Sequence, residues 1–137
     1  MHSIAANGAD IPALGLGTWT LKGAECVAMV AEALKLGYRH VDTASAYDNE
    51  EAVGAGIRAS GVPRGDIFLT TKVWHTDLAP RDFRRAAEAS LKRLGVGHLD
   101  LLLIHWPNPL VPLRDTLADL NELRVGACTR YIGVSNF

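Results

Sequence analysis

Short apolar segments alternate with helical patterns along this chain, and the alternation predicts an α/β protein built on a parallel sheet. Apolar runs at residues 13–16, 39–41, 67–71, 99–104 and 131–134 have the length and composition of buried strands. Amphipathic segments lie between them, and strands that are joined through helices run parallel. The expected order is therefore β-α-β-α-β-α-β-α-β, as in an open α/β sheet or a barrel.

The first two helices are predicted from apolar residues at three- and four-residue spacing. The first has its apolar face within residues 26–34, and Gly37 suits its C-terminal stop. The second is a shorter segment around residues 53–57. Asp48 and Glu51 have the spacing of a capping box before it, so we expect that motif at its N-terminus.

The third helix has the clearest pattern, within residues 83–94. Pro80 precedes it and Gly95 follows it, which is the usual asymmetry of helix ends. A fourth helix is indicated by the spacing of Leu113, Leu117, Leu120 and Arg124. Ahead of the alternation, Asn7 and Gly8 form a turn signal between two short segments, which predicts a small hairpin.

Composition argues against several functional classes. The net charge of −1 gives no electrostatic reason to expect nucleic acid or a membrane surface as a partner. The central apolar run "LLLI" is far too short to cross a bilayer, and the start shows no secretory pattern. Cys26 and Cys128 are too few for a disulfide framework or a zinc cluster. We therefore expect a cytoplasmic protein without a metal site.

Polar groups stand at the predicted carboxyl ends of the strands, where α/β proteins place their chemistry. Each has an ordinary explanation when it is taken alone: a loop cap, a surface tyrosine, a lysine reaching to solvent or a buried histidine. Five strands that each end in such a group are harder to explain by structure alone. The groups are Gly17 to Trp19, Asp42 with nearby Tyr47, Lys72, His105, and Ser135 with Asn136.

Together these side chains suit the reduction of a carbonyl. A tyrosine ordinarily has a pKa of about 10, and a nearby cation favours its phenolate form. Lys72 would be that cation beside Tyr47, and Asp42 would keep the buried lysine charged. His105 would donate a hydrogen bond to the substrate oxygen. No side chain supplies a hydride, so a cofactor is required. The "GLGTWT" segment lacks the third glycine of a Rossmann fingerprint.

Four segments resemble those of the aldo-keto reductases, in the same order and at similar separations: "GYRHVDTASAYDNEEAVGAGI", "FLTTKVW", "LDLLLIHWP" and "YIGVSNF". The resemblance runs from "ADIPALGLGTW" to the last residue, and the chain is similar in particular to the bacterial 2,5-diketogluconate and methylglyoxal reductases. It implies the (β/α)8 TIM barrel fold. It also implies the NADPH-dependent reduction of small dicarbonyls or keto-sugar acids.

The resemblance also implies a role for individual residues. Tyr47 matches the general acid, Lys72 and Asp42 the pair that assists it, and His105 the histidine that orients the carbonyl. The matches to cofactor-binding positions are Gly17, Thr18, Asp42, Ser135 and Asn136. The matches to the substrate pocket are Trp19, Tyr47, Trp74, His105 and Trp106.

Length sets this chain apart from the family. A (β/α)8 barrel typically needs about 250 residues and eight strands, whereas the 137 residues here predict about five strands and four helices after a short hairpin. We expect residues 1–137 to be the N-terminal portion of a single barrel domain, an incomplete barrel with exposed edge strands. The family form is expected to be monomeric, and the isolated chain to self-associate.

Two other functions remain open at this point. A truncated chain of the same fold could act as a regulatory or nucleotide-binding module without catalysis. Alternatively, a lysine at a strand end could form a Schiff base in a barrel lyase or isomerase. The combination of Asp42, Tyr47, Lys72 and His105 has no clear use in that second chemistry, which makes it the weaker alternative.

Overall fold

The computed structural model describes residues 1–137 and begins with the predicted hairpin. Strand β1 (Ser3–Ala6) pairs antiparallel with β2 (Ala9–Pro12). Asn7 and Gly8 connect them with φ values of 47° and 86°. Both values lie in the left-handed region that Asn and Gly adopt most readily, so the turn forms where the dipeptide predicted it.

Five parallel strands form the main sheet in sequence order. They are β3 (Gly15–Gly17), β4 (His40–Asp42), β5 (Phe68–Val73), β6 (Leu99–Ile104) and β7 (Thr129–Val134). Each pairs in parallel with the next along the chain, which confirms the predicted α/β architecture. β3 and β7 form the two edges, and the sheet does not close into a barrel.

Four helices connect the strands. They are α1 (Gly23–Lys35), α2 (Glu50–Ser60), α3 (Asp82–Leu94) and α4 (Leu113–Val125). The predicted glycine stop of α3 is confirmed, because Gly95 is its C-cap in the left-handed conformation. The close approach of α2 to α3 also depends on a glycine: a Cβ on Gly54 would lie 2.1 Å from the carbonyl oxygen of Leu94.

The core lies between the sheet and these helices. All six residues of β5 are buried, and along β6 Leu102 and Ile104 are fully buried while Leu101 and Leu103 are only half-buried. Alternate residues of a strand point to opposite faces. The helices therefore cover one face of the sheet, and the other face is partly open.

One sequence prediction about the helices was wrong in detail. The capping box at α2 does not form: Asp48 has φ 52°, and the N-cap is Asn49, whose side chain makes no capping hydrogen bond. Asn49 instead uses its amide for long-range contacts.

The predicted fourth helix is confirmed as α4. Within it, Leu113 and Leu117 are 43% and 40% exposed, and the buried residues are Thr116, Leu120 and Leu123.

Candidate active site

The polar residues predicted at the strand ends do converge at the carboxyl end of the sheet. Asp42 is the last residue of β4, Lys72 is the penultimate residue of β5, and His105 directly follows β6. Tyr47 ends a single 3-10 turn (Ser45–Tyr47) after β4. Parallel strands in this order bring their carboxyl ends side by side, which is why residues far apart in sequence meet here.

Lys72 is the centre of the cluster. Its Nζ atom lies 2.7 Å from Asp42 Oδ2, 3.1 Å from the carbonyl oxygen of Thr43 and 3.4 Å from the hydroxyl oxygen of Tyr47. The lysine is only 7% exposed, so its ammonium group is enclosed by these three partners. Lys72 therefore joins Asp42 to the phenol of Tyr47.

His105 completes the cluster from the next strand. Its ring centroid lies 5.7 Å from that of Tyr47, at an interplanar angle of 79°. Burial lowers the pKa of His105 below its ordinary value, the charge of Lys72 lowers it further, and Asp42 opposes the shift. The imidazole is thus neutral near pH 7, and its Nδ1 atom is buried without a hydrogen-bond partner.

Aromatic side chains surround a cleft over this cluster. Trp74 packs edge-on against His105 at 5.1 Å, while Trp19 and Trp106 are 73% and 45% exposed. The cleft has a volume of about 540 Å³ and is lined by Trp19, Ala46, Tyr47, Trp74, His105, Trp106 and Asn136.

The end of β7 supplies amide and hydroxyl groups beside His105. Asn136 Nδ2 donates to the carbonyl oxygen of His105 at 2.8 Å and to Ser135 Oγ at 2.9 Å. These bonds occupy both N–H groups of the Asn136 amide and leave its carbonyl oxygen free to accept. The hydroxyl of Ser135 as donor and the side-chain carbonyl oxygen of Asn136 as acceptor together fit a carboxamide group.

The end of the first strand of the main sheet contributes one exposed glycine and one buried hydroxyl group. Gly17 ends β3 and is exposed, whereas Thr18 is fully buried and its Oγ1 donates to the carbonyl oxygen of Asp42 at 3.0 Å. The hydroxyl of Thr18 therefore links the residue after β3 to the last residue of β4. Gly17 presents only its backbone towards solvent.

Sequence reasoning missed three residues that hold the cluster together. Ser45 Oγ donates to the carbonyl oxygen of Lys72 at 3.0 Å, and Thr43 Oγ1 donates to Asn49 Oδ1 at 2.8 Å. All three lie in or beside the "VDTASAYDNE" segment, so their position next to Tyr47 was the available signal. Their partners lie on other strands and loops, which local pattern does not reveal.

Other kinds of site find no support in the structure. The chain contains no group of three or more His, Cys, Asp or Glu side chains that could hold a metal ion. None of its helices has the length and apolarity needed to span a bilayer. Cys26 and Cys128 are both free thiols and lie away from the cluster in α1 and before β7.

Comparison with known proteins agrees with this architecture. The model of the aldo/keto reductase family matches residues 13–137, and the chain belongs to that family. It is 47% identical over 129 residues to the methylglyoxal reductase DkgB of Salmonella typhi, which covers 93% of this chain and 48% of that protein. The chain thus spans about half the length of the curated relatives it matches.

Solved structures show the same fold. One, of a protein assigned as a 2,5-diketo-D-gluconic acid reductase B, superposes with a TM-score of 0.97 at 50% identity and covers all of this chain and 49% of that one. An aldo/keto reductase from Brucella melitensis gives 0.93 at 46% identity, covering 98% and 52%. The five-stranded sheet therefore corresponds to part of a (β/α)8 barrel.

Proposed function

We propose that the protein carrying this chain reduces the carbonyl group of small aldehydes and ketones to an alcohol, with Tyr47 as the general acid. The observation that carries the proposal is the contact chain from Asp42 through Lys72 to the hydroxyl of Tyr47, beside His105. Family membership supports it. On this proposal, residues 1–137 are the N-terminal portion of a single barrel domain.

NADPH is the proposed cofactor, and it would supply the hydride that no side chain can provide. The free carbonyl oxygen of Asn136 and the hydroxyl of Ser135 suit the carboxamide of a nicotinamide ring. Gly17, next to the buried Thr18, leaves open backbone at the neighbouring strand end, where a Cβ would meet nothing within 4 Å. The side chain of Asp42, which forms the ion pair with Lys72, is two-thirds buried.

The residues of the cluster divide the proton chemistry between them. Tyr47 gives its phenolic proton to the carbonyl oxygen as that oxygen gains negative charge, and the C=O bond becomes C–OH. Lys72 stabilises the phenolate that Tyr47 leaves behind, and Asp42 keeps the ammonium oriented. Neutral His105 can donate its single N–H to the substrate oxygen, which places that oxygen near Tyr47.

The cleft favours small substrates with apolar or flat surfaces. Three of its seven lining residues are tryptophans, Trp19, Trp74 and Trp106. Reductases of methylglyoxal and of 2,5-diketo-D-gluconate are among the proteins to which this chain is similar. We propose small dicarbonyls and keto-sugar acids as the substrate class for the same reason.

The test is oxidation of NADPH, followed by absorbance, with methylglyoxal or 2,5-diketogluconate as substrate. It uses the chain together with whatever its gene encodes after Phe137. Tyr47→Phe should lower kcat by at least about 100-fold, because the proton donor is removed while the ring is kept. Tyr38→Phe is the matched control, since Tyr38 lies before β4 outside the cluster. Unchanged turnover in Tyr47→Phe would overturn the mechanism.

The same preparation tests the non-catalytic alternative. The chain spans about half the length of its relatives, so a binding role without turnover is a specific competing proposal. Titration with NADPH, followed by quenching of tryptophan fluorescence, separates the two. Nucleotide binding without substrate turnover would favour the binding module, and turnover would exclude it.

A further inference from the structure

Asn49 is a buried amide whose hydrogen-bonding groups all reach other parts of the chain. It is 4% exposed and precedes α2. Its Nδ2 donates to the carbonyl oxygens of Thr18 at 2.8 Å and Leu21 at 3.0 Å, and its Oδ1 accepts from Thr43 Oγ1 at 2.8 Å. The side chain therefore joins the loop after β3 to the loop after β4.

The loop after β3 needs such support. Thr20 has φ 72°, which is a rare conformation for a β-branched residue and costs on the order of 1–3 kcal/mol. The two carbonyl groups that Asn49 holds belong to Thr18 and Leu21, on either side of this strained residue. Trp19 lies in the same turn, so its place on the wall of the cleft depends on the turn being held closed.

On its other side Asn49 reaches the charged cluster. Thr43 is fully buried, and its hydroxyl donates to Asn49 while its carbonyl oxygen accepts from Lys72 Nζ at 3.1 Å. Asn49 Oδ1 thus fixes the side chain of Thr43, and the carbonyl oxygen of Thr43 accepts from Lys72 as Asp42 does. A change at Asn49 is transmitted to Lys72 through one intervening residue.

The turn that carries Tyr47 is held at both ends by this network. Ser45, the first residue of the turn, donates through its Oγ to the carbonyl oxygen of Lys72, and Asn49 is anchored two residues after Tyr47. Asp48 between them has φ 52°, a left-handed conformation that makes the chain reverse tightly. Lys22 adds a hydrogen bond from its ammonium group to the carbonyl oxygen of Tyr47.

We propose that Asn49 is a positioning residue that locks the Trp19 turn and the Lys72–Tyr47 pair into one arrangement. It is not among the residues that line the cleft, and it acts through Thr43 and through the turn formed by residues 18–21. The kinetic side of the inference rests on the proposed carbonyl reduction. Its structural side does not, and the two are tested separately.

The informative variant is Asn49→Asp. It keeps the oxygen that accepts from Thr43, but it replaces both donors with an oxygen that faces the carbonyl groups of Thr18 and Leu21. Thr43→Val removes the hydrogen bond from the Thr43 hydroxyl to Asn49 Oδ1, and Thr43→Ser retains it. Thr116→Val is the matched control, because Thr116 Oγ1 makes an equally buried bond of 2.8 Å to the carbonyl oxygen of Leu78 away from the cluster.

Amide hydrogen exchange on the 137-residue chain is the first measurement. In Asn49→Asp, amides of residues 18–22 and 43–48 should exchange about tenfold faster than in the unmodified chain, while amides of β6 keep their rates. Thr116→Val should leave the rates in both loops unchanged. A uniform rise that includes β6 would show that Asn49 contributes only to global stability, and it would overturn the proposal.

Kinetics on the chain with any sequence its gene encodes after Phe137 is the second measurement. Asn49→Asp should raise KM for the carbonyl substrate and lower kcat, each by about tenfold, since a small misplacement is costly in catalysis. Thr43→Ser should restore the kcat that Thr43→Val loses. If the unmodified protein shows no turnover, the proposed function fails, and the exchange pattern still decides the role of Asn49.

Discussion

Lys72 Nζ and Asp42 Oδ2 lie 2.7 Å apart across two neighbouring parallel strands, although thirty positions separate the residues in sequence. The side chain of the lysine is 9% exposed and that of the aspartate 33% exposed. An ion pair this sheltered does not stabilise a fold strongly compared with apolar packing, but loss of one member leaves the other charge unpaired. What distinguishes the pair is its contact with a third group, because Lys72 Nζ also lies 3.4 Å from the hydroxyl oxygen of Tyr47.

Removing the carboxylate of this pair should cost more than removing an exposed one. Asp42→Asn should lower the free energy of unfolding by about 1–3 kcal/mol, which is less than for a fully buried pair because Asp42 is partly solvated. Urea denaturation measures the change. Glu32→Gln is the control, because Glu32 and Lys35 form an exposed pair at 3.9 Å. Equal effects of the two variants would contradict this account of the pair.

The buried carboxylate of Glu50 leads to a second prediction about stability. Glu50 is 2% exposed and accepts from Thr71, Ser90 and Arg93 at distances of 2.7 to 3.2 Å. Glu50→Gln loses the charge-assisted bonds, so the free energy of unfolding should fall by about 2–3 kcal/mol.

The neighbouring residue provides the control for this change. Glu51 is exposed in the same helical turn, and Glu51→Gln should change stability by less than about 0.5 kcal/mol. Both variants remove one negative charge near the N-terminus of α2, so their helix-dipole effects are matched. A loss in Glu50→Gln no larger than in Glu51→Gln would show that the network contributes little.

The sequence predicted the elements of this fold because their signals are local. Alternating periodicity placed all five parallel strands and four helices, and it placed the polar ends of the strands on one edge. The bounds of β6 were predicted without error, since five of the six residues at 99–104 are aliphatic and only Asp100 is polar. Four motifs in order also identified the family, because each combines a strand with the residue that follows it.

What the sequence did not reveal depends on contacts between distant segments. Asp48 and Glu51 suggested a capping box, yet the neighbouring Asn49 and Glu50 are the residues that matter structurally. Their partners lie on loops, on β5 and on α3, and no local spacing encodes them. In the same way, the spacing of Leu113 and Leu117 predicted the fourth helix but not their exposure, which is 43% and 40%.

Protonation of His105 should make the fold less stable in acid. Burial and Lys72 hold the pKa of His105 below its ordinary value of about 6.5. The unfolded chain therefore binds more protons than the folded chain as pH falls below about 6.5, and the free energy of unfolding decreases with it. Denaturation at pH 7.5 and pH 5.5, pH values set about one unit either side of that point, measures the slope.

A substitution isolates the contribution of this histidine to the pH dependence. His105→Gln removes the titrating group and should flatten the slope, although His98, whose pKa is also lowered by burial, retains its own part. His2→Gln is the control for the loss of an imidazole, at the exposed N-terminus. Identical slopes in His105→Gln and the unmodified chain would rule out the proposed cause.

The two thiols should report on folding through their different reactivity. Cys26 is fully buried in α1, and burial raises the pKa of its thiol, with Lys22 opposing the shift. Cys128 is only half-buried. A chromogenic disulfide reagent should therefore label Cys128 in the folded chain and label Cys26 only after unfolding. In Cys128→Ser the folded chain should not react, and rapid labelling there would mean that α1 is open.

The open edge of the sheet should make the 137-residue chain self-associate. β7 is paired only with β6, and Val134 near its end is 46% exposed. An unpaired strand edge with an apolar side chain is a template for pairing with another chain, and a lysine placed on such an edge opposes it. Light scattering after size exclusion should detect dimers or larger species at micromolar concentration, and Val134→Lys should shift them towards monomer. Leu36→Lys is the matched control, because Leu36 is 79% exposed but follows α1 away from either edge. If both lysine variants restore the monomer equally, general hydrophobicity drives association, and if the unmodified chain is monomeric throughout, the edges are already protected.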